Sequence, residues 1–147
     1  MVLAPVIFLA RIQHLRNLHI AYRSILSTEK EYSFWMEGSD KIKSGTSYKS
    51  IVRLKDSSLL NRYWDESITP RQESYREDIM TAEKSKRNKI EMYQHLRAGA
   101  TSGWDFSSRW FADGKNILTI QTTDFIPVDL NSLLYNLELV IAKAKAM

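Results

Sequence analysis

From Asp129 onward, apolar residues return at helical spacing, and this stripe limits the possible folds more than any other feature of the chain. Leu130, Leu133, Leu134, Leu137, Ile141 and Ala144 fall along one side of a predicted helix. Asp129 stands where it can cap the start, and Lys143 and Lys145 near the other end suit the negative pole of the helix dipole. Such a stripe has to be buried against another element. A second stripe near the start, Ile7, Phe8, Ile12, Leu15, Leu18 and Tyr22, predicts a helix able to cover it in a small bundle.

The segments between them are read from their punctuation. A helix carrying Tyr32, Trp35 and Met36 is expected to begin near Thr28, which has capping-box spacing to Glu31, and to stop at Gly38. Residues 51–64 run from IVRLK to LLNRYW across the turn residues KDSS and predict one short β-hairpin. Ser74 and Glu77 offer another capping box, for a helix to about Lys84, and residues 88–100 predict a further helix ending in the small-residue run AGATSG. About five helices and one hairpin define an all-α class. The long connections 38–73 and 101–127 fit a compact bundle poorly, and long ordered loops rich in aromatics and charges commonly line a site.

Composition narrows the function classes. At 147 residues, 44% hydrophobic and 26% charged, the chain matches one ordinary globular domain. It has no cysteine, which removes disulfides and thiolate metal sites. His14, His19 and His95 lack metal-ligand spacing, so they read as ordinary helix residues and neither a metal nor a cofactor is expected. The apolar start MVLAPVIFLA lacks a basic leader and a small-x-small cleavage site, and ten residues are too few to cross a bilayer, so a buried helix is expected and no membrane partner. Net charge is +4, with a basic cluster in EKSKRNK, residues 83–89. Glu83 and Glu91 flank it and no nucleic-acid-binding motif accompanies it, so it reads as a solvated linker.

The polar chemistry collects in two loops. TPRQES holds Arg71 and Glu73, and SGWDFSSRW holds Gly103, Asp105 and Arg109, with Asp105 set between Trp104 and Phe106. Arginine donors and carboxylate acceptors suit sugar hydroxyls, and tryptophan and tyrosine faces suit sugar rings. The same four charged residues would equally serve as a buried ion-pair network holding loops together.

At these residues a family resemblance enters. RYWDESITPRQESYRED, residues 62–78, and RAGATSGWDFSSRWFADGKNILTIQTTDFIPVDLNSLLY, residues 97–135, closely resemble the central part of trehalases, the glycoside hydrolases that split α,α-trehalose into two glucoses. EKEYSFWM and RLKDSSLLNRY resemble the sequence preceding those motifs, and VLAPVIFL, residues 2–9, resembles it more weakly. The resemblance implies an inverting hydrolase built as an (α/α)6 toroid, of which residues 1–147 would form a single, incomplete central portion. It implies that Asp105, in the SGWD motif, is the general acid. Trp104 and Phe106 are then expected to help desolvate it, since an acid holding its proton near neutral pH needs a raised pKa. Gly103 is a substrate-contacting position in the family, where a missing Cβ lets backbone approach the sugar. The family's RPES motif falls on Arg71, Gln72 and Glu73, which are thereby candidate substrate-binding positions, with Gln72 in place of the family's proline, a change that removes a φ constraint. Gln121, Asp124, Asp129 and Asn131 also match, and are read as bonding loop backbone and capping the last helix.

Inversion needs a second carboxylate about 6.5–9.5 Å from the acid, to activate water. In trehalases that base is a glutamate beyond a QWDxPNGW motif, which this sequence does not contain. Glu73 is a poor substitute, because the family uses it to bind sugar. The expected partners are therefore trehalose and the remaining segments of a trehalase, and the isolated chain is expected to be inactive. The rival reading is a non-catalytic trehalase-derived interaction module, or the product of a gene fragment.

Overall fold

The computed structural model describes residues 25–146, so the expected N-terminal helix and the residues His14 and His19 lie outside the described residues. The chain divides into two compact units, residues 1–34 with 133–147, and residues 35–132. Residues 25–35 are helical (α1). Three short strands follow, β1 (Thr46–Tyr48), β2 (Ile51–Arg53) and β3 (Leu59–Asn61), then α2 (Tyr75–Ser85), α3 (Lys89–Thr101), three 3-10 turns, and α4 (Val128–Ala146).

Two expectations about α1 need correction. The helix is already formed at residue 25, so Thr28 lies inside it and does not cap it. The stop is close to the expected place: helix ends at residue 35, and Gly38 adopts a φ of +84° within the following turn. A side chain at Gly38 is excluded twice, by that left-handed backbone and by the Tyr48 ring, 2.6 Å from where a Cβ would stand.

The predicted hairpin is part of a three-stranded antiparallel sheet in the order β1-β2-β3. Its expected half is present, with Ile51 opposite Asn61 and Arg53 opposite Leu59. The extra strand pairs Thr46 with Arg53 and Tyr48 with Ile51. Lys49, at a φ of +48°, makes the tight turn between them, and a lysine gives no sequence signal for that turn. The β2–β3 turn is closed by Leu54 N–H donating to Ser58 O and by Ser58 N–H donating to the Asp56 carboxylate. Those backbone donations hold the Asp56 carboxyl below its usual range.

Within the unit of residues 35–132, the core gathers Ile51, Met92, Leu96, Ala98, Trp110, Ile120 and Leu130, all almost fully buried. Each large aliphatic among them contributes about 1.5–3 kcal/mol by leaving water. A row of rings, Trp35, Tyr63, Trp110 and Phe125, runs through it at centroid spacings of 6.2, 5.9 and 6.0 Å. Asn131 stitches α4 to β3: its side chain accepts from Asn61 N–H at 2.8 Å and donates to Asn61 O at 2.9 Å. Asn131 therefore does bond backbone, as its place in the sequence suggested.

The stretch 101–127 is ordered by its own short-range bonds. Asp113 accepts from the backbone of Lys115 and Asn116 and from the Thr119 hydroxyl, and the Asn116 and Lys115 amides pull its carboxyl below the usual range. Phe111 bridges to Ile120 across this turn. His95, on α3, is buried and its Nδ1 meets the Thr123 hydroxyl at 2.9 Å.

In the other unit, Tyr32 donates to Glu138 at 2.9 Å and Lys145 pairs with Glu29 at 2.7 Å. The stripe on α4 is narrower than expected. Leu130 and Leu134 are buried and Leu137, Ile141 and Ala144 partly so, whereas Leu133 is 67% exposed because it lies off that line.

Candidate functional site

Arg71 is brought inward by α2. The helix starts just after Ser74, which occupies the N-cap position without a side-chain capping bond, contrary to the capping-box expectation. Its first turn carries Glu77 and Asp78, where acids are favoured by the helix dipole. Asp78 faces back toward residue 71 and is almost fully buried, as is Arg71. Asp78 Oδ2 accepts from the Arg71 backbone N–H at 2.9 Å and from Nε at 3.0 Å, while Oδ1 accepts from Nη2 at 2.7 Å. This two-pronged geometry fixes the plane of the guanidinium. The hydrogen bond to Asp78 raises the Arg71 pKa above its ordinary value against the opposing effect of burial.

The charges of Glu73 and Asp105 add to that rise. Two carboxylates from separate loops therefore act on one guanidinium, without an ion pair to it among the described residues. Glu73 and Gln72 are exposed, as are Asp105 and Gly103. The buried four-residue network considered from sequence does not form: Arg71 pairs with Asp78, and Arg109 pairs with Asp129.

Asp105 lies on the loop leaving α3. Gly103 ends that helix at a φ of +72°, with its N–H donating to Ala100 O at 3.1 Å and open space where a Cβ would be. A left-handed residue after a helix is the common reason for glycine there. Trp104 and Phe106, expected to enclose the carboxyl, are used otherwise. Phe106 lies with its ring 4.7 Å from the Arg71 guanidinium and packs on α3 at Gly99, where an added Cβ would stand 3.0 Å from the ring. Trp104 is 54% exposed. The described residues thus leave Asp105 open.

The Trp104 side of the loop is braced. Arg109 lies over Trp104 and Trp110 at 5.3 and 5.0 Å and donates to Asp129 at 3.0 Å. Trp104 O accepts from the Trp110 indole at 3.1 Å. Asp129 is in the first turn of α4 and serves Arg109, so its expected role as a helix cap is replaced by an ion pair.

The basic run 83–89 forms the α2–α3 junction. Arg87 donates to Ile120 O at 2.6 Å and to Glu91, and Lys89 meets Glu83 at 3.2 Å. Asn88 caps α3 by accepting from Ile90 and Glu91. Among the described residues no group of three or more histidines, aspartates or glutamates is arranged to hold a metal, and no helix is long and apolar enough to cross a membrane.

Sequence reasoning missed Asp78, Gly99 and the role of Phe106. Two signals were present. An acid in the first turn of a helix can reach back to the segment before it, and a glycine inside a helix costs about 1 kcal/mol against alanine unless packing requires it.

An arginine fixed by a buried acid beside an exposed loop aspartate, in a helical chain, suits carbohydrate chemistry, and comparison with known proteins places the chain among glycoside hydrolases. The trehalase family model matches residues 3–147. The periplasmic trehalase of Xanthomonas oryzae pv. oryzae is 54% identical over 125 residues, 84% of this chain and 22% of that protein. That of Pseudomonas aeruginosa is 51% identical over 141 residues, 95% of this chain and 26% of its own length. The periplasmic trehalase of Xanthomonas axonopodis pv. citri is 53% identical over 125 residues, again 84% of this chain and 22% of the relative. The chain belongs to the trehalase family, and spans about a quarter of the length of these curated relatives.

Proposed function

We propose that this chain supplies the proton donor and part of the sugar-binding wall of an enzyme that hydrolyses α,α-trehalose to two glucose molecules with inversion. Asp105 is the general acid: it protonates the glycosidic oxygen as the bond to the anomeric carbon breaks. Arg71 and Glu73 hold glucose hydroxyls, the first as donor and the second as acceptor, with Gln72 between them and the Gly103 backbone against the sugar. The observation that carries this reading is that Arg71 feels the charges of both Glu73 and Asp105, from two loops far apart in sequence.

The water-activating base belongs to another part of the complete enzyme. The helices described here are then one central portion of an (α/α)6 toroid. Val128, Leu133, Tyr135, Leu139 and Val140 on α4 are exposed, which suits packing by the remaining trehalase segments. Those segments also complete the enclosure of Asp105 that Trp104 alone does not provide.

Two assays test this. Purified chain incubated with trehalose releases no glucose; turnover abolished by Asp105→Asn would defeat the claim that a further base is required. A full-length trehalase carrying this sequence in place of its matching segment is active, and loses activity with Asp105→Asn, because an amide cannot donate the proton.

A further inference from the structure

Resting on the sugar-binding reading of Arg71, we propose that Asp78 is the positioning residue of this site: it holds the Arg71 guanidinium in one orientation and directs the Nη1 edge to the substrate. The geometry leaves Arg71 little choice. Asp78 occupies Nε and Nη2 together, and takes the Arg71 backbone N–H as well, so main chain and side chain are tied to the same carboxylate. Those bonds engage one edge of the planar guanidinium and leave Nη1 as the group they do not use. Rotation of the plane is opposed from the side by Phe106, whose ring lies 4.7 Å away and is itself seated against Gly99.

This arrangement exceeds what holding a loop requires. A loop tie is satisfied by the backbone N–H bond alone. The forked contact adds the orientation that hydroxyl recognition needs, since an arginine side chain otherwise samples many rotamers and its ordering would be lost from binding. Phe106 follows Asp105 directly, so one ring links the clamped arginine to the loop that carries the proposed acid. Asp78 touches no substrate in this scheme and acts only through Arg71.

The test uses the full-length trehalase carrying this sequence. Asp78→Asn keeps the shape and one acceptor but loses the second prong. It is expected to raise KM for trehalose about tenfold and to lower kcat/KM by up to about 100-fold, the scale of a misplaced binding group. The alkaline limb of the pH profile should stay in place, because the proton donor is untouched. Arg71→Ala should be impaired and partly restored by millimolar guanidinium, and the Arg71→Ala/Asp78→Asn double variant should not be restored. If Asp78→Asn does not fold, Asp78→Glu decides, since it keeps the charge and displaces the fork: unchanged KM and kcat there overturn the proposal. Folded Asp78→Asn with unchanged constants, beside an impaired Arg71→Ala, overturns the role of Asp78 and spares the sugar-binding reading. Full activity of Arg71→Ala would instead remove that reading, and the inference with it.

Discussion

The two loops that make the site are built in opposite ways. Arg71 is almost fully buried, gripped by Asp78 and faced by a ring, whereas Asp105 sits exposed on a loop beside a half-exposed tryptophan. The binding side is fixed by partners from its own neighbourhood in sequence, seven positions away on α2. The proton-donating side has its backbone braced, through Trp104, Trp110 and Arg109, but its carboxyl left open. A cation that must keep one orientation is best held by a buried, saturated contact. An acid that must hold and then release a proton needs an environment closed by surfaces that arrive with the rest of the enzyme or the substrate.

That contrast breaks if function and stability respond alike in the two loops. The largest expected effect is functional: Asp105→Asn in the full-length context lowers kcat by about 10²–10⁴-fold, read as glucose release at saturating trehalose. The next is structural and falls on the opposite side. Asp78→Ala leaves the Arg71 cation buried without its partner and is expected to cost about 3–5 kcal/mol in urea unfolding of the chain. Asp105→Ala, at an exposed position, is expected to change stability by no more than about 0.5 kcal/mol. Equal costs at the two positions would show that the asymmetry is not energetic.

Gly99 sharpens the comparison because it touches both sides through Phe106. Gly99→Val drives a branched side chain into a ring already 3.0 Å from the Cβ position. Overpacking of this kind typically costs about 1–3 kcal/mol. The displaced ring should carry the change to Arg71, so KM in the full-length enzyme rises with the loss of stability. A variant as stable and as tight-binding as the parent would separate Phe106 from the arginine.

Much of the frame is legible in the residues because it depends on local signals. The hairpin at 51–64, the helix ends near Lys84 and Thr101, and the stripe through Leu130 and Leu134 follow from periodicity and turn chemistry. What escaped is set by long-range pairing. Thr46–Tyr48 joins the sheet only through a left-handed Lys49, and no residue type there announces the turn. Ser74 and Asp129 carry the right residues for caps, yet the Ser74 hydroxyl makes no capping bond and Asp129 pairs with Arg109 across the fold. The candidate residues themselves, Arg71, Glu73, Gly103 and Asp105, came from the family motif. Their unequal burial could not be read from it, because burial of Arg71 rests on Asp78 and Phe106 arriving from two other segments.

The smallest effect lies in pH and belongs to the rigid side of the comparison. His95 is buried against Thr123, with Glu91 3.4 Å from Nε2, Asp124 acting from the neighbouring turn and Arg87 from the α2–α3 junction. Burial lowers its pKa most, and the nearby acids only partly oppose that. The folded chain therefore prefers the neutral ring, while the unfolded chain binds a proton at the ordinary value near 6.5. Stability from this residue is fully present above that value and is lost as pH falls below it toward the folded pKa. One proton limits the slope to about 1.4 kcal/mol per pH unit. Urea midpoints of the chain should thus fall between roughly pH 6.5 and 5, and His95→Gln should flatten that interval. The carboxylates held low, Asp56, Asp65, Glu91 and Asp113, lose their contribution only in more acid solution, as pH falls below the ordinary carboxylate range. An unchanged decline in His95→Gln would assign the loss to another group, and would leave the packing of α3 on the 122–124 turn independent of proton uptake.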